Sequence, residues 1–391
     1  MKNIYFLLLL IASNSAIAQL TLTDTIESKI LNEKRTIRIH IPKSYGQTDK
    51  LPLILTLDGE YMFYNLIGNS ELLLATEEIP ETLIVGIDQN YQDYSKNYVR
   101  WEDCSYNSKS GKLQGKGIKF KKFINKELIP YLINKYKIGG YKVLVGHSFT
   151  ASYVNFFLFD NSIFNSFILL SPYISVTHYQ KINDKLSNNN KFLSYYISTA
   201  EHDLKGHLKT VSKLDSILSK KTINPKTQYT FNNFKGETHY SLINRSFPLA
   251  LKSTFKDYQL ITEKEIKFEK DLLLYLKNKY AKIKEQYDIT LSIKKDDLET
   301  IYWLAEERED WKVLKDIGKY SINIYPEYPD GYFMLSTVAE QNKNYKKALK
   351  LYKKGYLKLG DDVLNKKDFY KHIERLEKIN NNNTLTDIIN N

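Results

Sequence analysis

The chain has 391 residues, 42% of them hydrophobic, a single cysteine and a formal net charge of +12. One cysteine excludes an intrachain disulfide and a thiolate metal cluster, so stability must come from burial. The lysines that supply the charge are spread along the whole chain, which describes a solvated surface and argues against nucleic acid as a partner.

Residues 1–18 have the form of an export signal: Met1-Lys2-Asn3, an apolar run from Ile4 to Ala12, then small residues at Ala16 and Ala18 before Gln19. The expectation is a periplasmic or secreted protein that starts near Gln19. No cysteine stands at the cleavage point for a lipid anchor, and no later run is apolar for long enough to span a bilayer. About 370 residues remain, more than one core usually organises, so a large domain over 19–260 and a smaller one over 261–391 are expected.

In chain order, β-branched and aromatic runs predict strands at Thr36–Ile41, Leu53–Leu57, Leu83–Ile87, Val143–Val145, Ser166–Leu170, Leu193–Thr199 and Gln228–Phe231. Amphipathic stretches lie between them, notably Lys119–Lys135, where Phe120, Phe123, Ile124, Leu128, Tyr131 and Leu132 recur at helical spacing. Such alternation predicts a mostly parallel sheet with helices on both faces, and chemistry at the carboxyl ends of its strands. After about Tyr258 the pattern is helical and predicts a small all-α C-terminal domain. Within it Tyr332, Leu335, Ala339, Tyr345, Ala348, Tyr352 and Gly355 are spaced like a tetratricopeptide hairpin over about 330–360, a surface on which a protein partner could dock.

Three positions carry the chemistry. The apolar strand Val143–Val145 runs into Gly146-His147-Ser148-Phe149-Thr150, and a helix-like stretch follows from Ser152. A nucleophile elbow has this form, with small residues two positions either side of the serine; Gly146 fits, whereas Thr150 stands where glycine is usual. The fold places an acid and then a histidine after later strands. Asp203, just beyond Leu193–Thr199, is the preferred acid, with Glu201 as the alternative. His239 follows the last strand and can act as base toward Ser148. His147 should point away from the site, and His202 and His207 lie on the acid loop. Backbone donors for a developing oxyanion are expected from Phe149 and from Gly59 or Glu60 in the turn after Leu53–Leu57.

From about Ile26 to Phe255 the chain resembles the esterase family of α/β hydrolases, which includes esterase D-like, enterochelin esterase-like and feruloyl esterase-like enzymes. The resemblance is carried jointly by Arg35–Pro42 with Tyr45, Leu57-Asp58-Gly59, Val85-Gly86-Ile87, Arg100–Asp103, Glu127–Pro130, Gly146–Phe149 and His239. It implies an α/β-hydrolase fold and hydrolysis of an ester or thioester through an acyl-enzyme, without metal or organic cofactor; the expected substrate is a small-molecule or glycan-linked ester. By the same analogy Arg100–Asp103 lie near the mouth of the site, where they either shape the pocket or, the preferred reading, brace a loop. The second reading is a hydrolase fold kept as a binding platform, for which Thr150 and the helical region speak.

Overall fold

The computed structural model describes residues 20–389 except 44, 46–49, 90–97, 161, 222 and 361–362. The export signal expected over 1–18 lies outside the described residues. The chain forms two compact units, one reaching Lys256 and including Tyr287–Ile289, the other made of Asp257–Gln286 and the residues from Thr290 onward.

In chain order the first unit consists of β1 (Leu20–Ser28), β2 (Glu33–Ile41), β3 (Leu51–Thr56), α1 (Gly59–Ala75), β4 (Leu83–Ile87) and α2 (Tyr98–Asp103). A small hairpin follows, β5 (Tyr106–Asn107) and β6 (Lys112–Leu113), then α3 (Gly115–Phe123), a π turn at Ile124–Leu128 and α4 (Ile129–Lys135). The remainder is β7 (Ile138–His147), α5 (Phe149–Leu158), β8 (Ser166–Leu170), α6 (His178–Ser187), β9 (Leu193–His202), α7 (Lys205–Leu218), β10 (Thr227–Thr238) and α8 (Leu242–Thr254).

Eight of these strands form one sheet in the order β1-β2-β4-β3-β7-β8-β9-β10. β1 and β2 join antiparallel at one edge, and every pairing from β4 to β10 is parallel. Every residue of β3, β4 and β8 is buried, because parallel strands connected through helices are covered on both faces and therefore read as continuous apolar runs. At the far edge β10 slips register against β9 between Phe234 and Thr238. Such an irregularity re-aims the chain, and here it precedes His239. Because the central strands run parallel, the ends of β3, β7, β8, β9 and β10 bring Asp58, Ser148, Ser171, Asp203 and His239 to one edge of the sheet.

The second unit is helical: α9 (Glu263–Ile266), α10 (Leu272–Tyr287), α11 (Lys295–Glu307), α12 (Trp311–Ile324), α13 (Pro329–Gln341), α14 (Tyr345–Tyr356) and α15 (Val363–Ile389). Thr262, Asp310 and Asn344 cap α9, α12 and α14 by accepting from backbone amides with their side-chain oxygens. Leu298, Ile301, Leu314 and Ile317 share one buried cluster, and Ala339, Ala348, Tyr352 and Phe369 share another. Among the described residues no helix is long and apolar enough to cross a membrane.

Candidate active site

Ser148 occupies the turn between β7 and α5 with φ 59° and ψ −118°, a conformation that L-residues rarely adopt and that the surrounding structure must hold in place. Its amide donates to the Leu170 carbonyl on β8 at 2.8 Å, and its carbonyl accepts from the Ser152 amide at 3.0 Å. Gly146 makes the turn possible, because a Cβ there would lie 2.7 Å from the Ala151 nitrogen and 2.8 Å from the Thr150 carbonyl carbon. Gly146→Ala should therefore cost about 1–3 kcal/mol of stability, to be read from urea unfolding; wild-type stability would mean that the turn relaxes freely.

The Ser148 Oγ lies 2.9 Å from His239 Nε2, and the other ring nitrogen, Nδ1, lies 2.6 Å from Asp203 Oδ1. The Asp203 side chain is fully buried and that of His239 nearly so. Burial alone would raise the Asp203 carboxyl, but hydrogen bonds from His239, Thr199 and Ser171 outweigh it and bring it down to about 2. Asp203 is then a carboxylate at neutral pH and can only accept. The proton between the two groups belongs to His239 Nδ1, which leaves Nε2 to accept from the Ser148 hydroxyl. Glu201 is exposed, and its carboxylate accepts from the Gly236 amide at 2.9 Å. The structure thus puts Asp203 against His239, and Glu201 braces the strand that leads to it.

Residues 28–260 match the protein family described as "Putative esterase". The chain belongs to this esterase family. The protein YjcH of Bacillus subtilis (strain 168), described as uncharacterized, is 28% identical over 236 residues, which make up 58% of this chain and 93% of its own. Among solved structures, an uncharacterised protein from Capnocytophaga ochracea DSM 7271 superposes with a TM-score of 0.74 at 24% identity, over 92% of this chain and 100% of that one. An IroE-like serine hydrolase from Shewanella oneidensis gives 0.56 at 19% identity, over 78% of this chain and 99% of its own. At these identities the likeness is one of fold: a mostly parallel α/β sheet followed by helices.

Within the esterase fold two neighbours of the Ser148–His239–Asp203 chain escape a reading of the sequence. Ser171, one residue past β8, has φ 49°, and its Oγ lies 2.9 Å from both Asp203 Oδ1 and His239 Nδ1. The one available signal is its place: a serine at the end of the strand next to β7. His207 Nδ1 lies 2.7 Å from the Ser171 carbonyl, to which it donates. Asp203, His207 and His239 offer possible metal-ligand atoms within 4.8 Å of one another. Those of Asp203 and His239 are engaged with each other, and His207 Nδ1 with Ser171.

His147 does not point away from the site, as its place before the serine suggests, but packs under His239 with ring centroids 4.8 Å apart. Its Nε2 lies 2.8 Å from the His239 carbonyl, which can only accept, so Nε2 carries the proton; Nδ1 faces Tyr61 Oη at 3.0 Å, and that hydroxyl donates to Asp58 Oδ2, also at 3.0 Å. Burial, and secondarily the neighbouring His239, push the His147 pKa down from 6.5 to about 4. A depressed folded-state pKa gives a contribution that is complete above the unfolded value and is lost as pH falls toward the folded one. From pH 7 to 5 this group alone should cost about 2 kcal/mol. His147→Gln should flatten that slope in urea titrations at the two pH values, and an unchanged slope would place the acid sensitivity elsewhere.

On the oxyanion side, Asp58 adopts φ 55° and is fully buried, and Gly59 opens α1. A Cβ on Gly59 would come within 2.8 Å of Asp88 Oδ1 and 2.9 Å of the Ile87 carbonyl carbon, so only glycine lets the turn close onto β4. Glu60 follows in the first turn of α1, and Phe149 opens α5. First-turn amides have no acceptor inside their own helix. The Phe149 ring lies against Trp101, centroids 4.2 Å apart, and stacks on Tyr106 at 5.4 Å. Arg100 does more than brace a loop, since its Nε donates to Asp58 Oδ1 at 2.5 Å and its Nη2 to the His147 carbonyl at 3.0 Å. Burial opposes the Arg100 charge, but Asp58 outweighs it and raises the guanidinium pKa.

Proposed function

We propose that the chain is an exported serine esterase that hydrolyses a carboxylic ester through an acyl-enzyme. One observation carries the reading: a continuous chain of short hydrogen bonds, 2.9 Å and 2.6 Å long, runs from the Ser148 hydroxyl through both nitrogens of His239 to a buried carboxylate. In this reading Ser148 Oγ attacks the acyl carbon while His239 Nε2 takes its proton. Asp203 fixes the imidazole tautomer and stabilises the imidazolium. The oxyanion is met by the amide of Phe149 and by that of Gly59 or Glu60. His239 then protonates the leaving alcohol, and a water activated by the same nitrogen releases the acid.

The exposed aromatic faces of Trp101, Tyr173 and Tyr240 stand close to this chemistry, which favours a substrate with an apolar or aromatic part over a purely ionic one. Substrate here means a small-molecule or glycan-linked ester. The helical unit offers a separate surface for a protein partner.

A fluorophosphonate probe should label the wild type and not Ser148→Ala, with intact mass locating one adduct. Absence of labelling in both would move the reading to a binding platform. Export is tested by recovering the protein outside the cytoplasm with Gln19 as its first residue; an N-terminus that retains the apolar run would overturn it.

A further inference from the structure

Resting on the assignment of Ser148 as nucleophile, we propose that Thr150 is a positioning residue: its hydroxyl is a strut that locks the turn carrying the oxyanion donors to the nucleophile elbow. An elbow favours a small residue here so that strand and helix can approach, and on sequence Thr150 reads as a weakness. In the structure its side chain is fully buried. Its Oγ1 accepts from the His147 amide at 3.0 Å and lies 2.6 Å from Asp58 Oδ2. The His147 carbonyl is also within reach at 2.9 Å, but a hydroxyl has one proton. The carboxylate is the stronger acceptor, and that carbonyl already receives Arg100 Nη2. The proton therefore goes to Asp58.

Three segments distant in sequence meet through this arrangement. Asp58 is the residue before Gly59, Arg100 comes from α2, and Thr150 lies in the first turn of the helix that follows the serine. Arg100 holds Asp58 Oδ1 through Nε, and its Nη2 lies 3.1 Å from Oδ2. Thr150 ties the Asp58 carboxylate directly to the first turn of the helix that follows Ser148, beside the contact of Arg100 Nη2 to the His147 carbonyl and the Tyr61 hydroxyl that lies 3.0 Å from both Asp58 Oδ2 and His147 Nδ1. The Asp58 backbone sits in the left-handed region, a conformation that persists only when its surroundings over-determine it. The spacing between the Phe149 amide on one side and the Gly59 or Glu60 amide on the other is set by that link. A donor pair held at fixed spacing acts on the charge that develops in the transition state and little on the bound ester.

The test compares Thr150→Val, Thr150→Gly and Thr150→Ser, using p-nitrophenyl ester kinetics and the second-order rate of fluorophosphonate labelling. Val keeps the shape without the hydroxyl and should lower kcat about 10–100-fold with KM nearly unchanged. Gly restores the usual residue of such elbows and should show a similar loss. Ser keeps the hydroxyl and should restore most of kcat. A structural role alone would lower the melting temperature in Val and Gly without separating kcat from KM. Wild-type kcat in Thr150→Gly, or an equal loss in Thr150→Ser and Thr150→Val, overturns the strut. If Val does not fold, the Gly and Ser pair decides the question. Failure of the wild type itself to label is a different outcome, and it removes the nucleophile assignment instead.

Discussion

His239→Ala should lower kcat/KM toward an activated ester by about ten-thousand-fold, with the melting temperature close to wild type. The imidazole is the only group within hydrogen-bonding distance of Ser148 Oγ in the described structure that can take its proton, at 2.9 Å, and without it the hydroxyl is a poor nucleophile at neutral pH. Ser148→Ala should lose at least about a thousandfold, and the double variant should be no worse than the poorer single, because groups that act as one unit are not additive. Asp203→Asn gives an independent check. The amide can donate to Nδ1, which drives the ring proton to Nε2, where it faces the serine, so a loss of about a thousandfold or more is expected without change of shape. Stopped-flow measurement of the acylation phase is the readout. Retention of His239→Ala activity within tenfold would falsify the base assignment.

The parts of this arrangement that could be read in the sequence are those set by local pattern. β4 and β8 have the bounds that their apolar runs predict, because strands buried on both faces leave no polar interruption. The first strand was not legible: Leu20–Ser28 alternates threonine and acidic residues with a few apolar ones, and pairs only at an edge. β10 continues to Thr238, seven residues beyond Phe231, because an edge strand can carry Asn232, Asn233 and Lys235 without exposing a core. The order serine, acid, histidine was legible because α/β connectivity sends successive strands to one edge. Ser171, His147 and the Asp58–Arg100 pair were not. They are long-range contacts, 42 residues apart in the last case, and nothing in the spacing of a chain announces which buried charge will meet which. Thr150 shows the same limit, since a residue that departs from the local pattern gains its role from a carboxylate on another strand's turn.

Asp58→Ala should destabilise the first unit by about 3–5 kcal/mol, the largest loss of stability expected from a single side chain at this site. Arg100 is only 6% exposed, and its charge is offset by the Asp58 carboxylate through two contacts, at 2.5 Å and 3.1 Å. Removing the carboxylate leaves a buried guanidinium with the His147 carbonyl as its remaining hydrogen-bond acceptor among the described residues, and also takes away the acceptor of the Thr150 hydroxyl. The cost comes from the orphaned cation rather than from the attraction lost, and the two are separable. In Asp58→Asn with Arg100→Met the buried charges disappear together, so that double variant should recover most of the stability lost by Asp58→Ala, as measured by urea unfolding followed by circular dichroism. Ester turnover should not recover with it, since the turn before Gly59 then has no charged anchor to the elbow. A double variant as unstable as Asp58→Ala would mean that the orphaned guanidinium is not the source of the loss, and turnover restored along with stability would mean that the ion pair serves the fold alone.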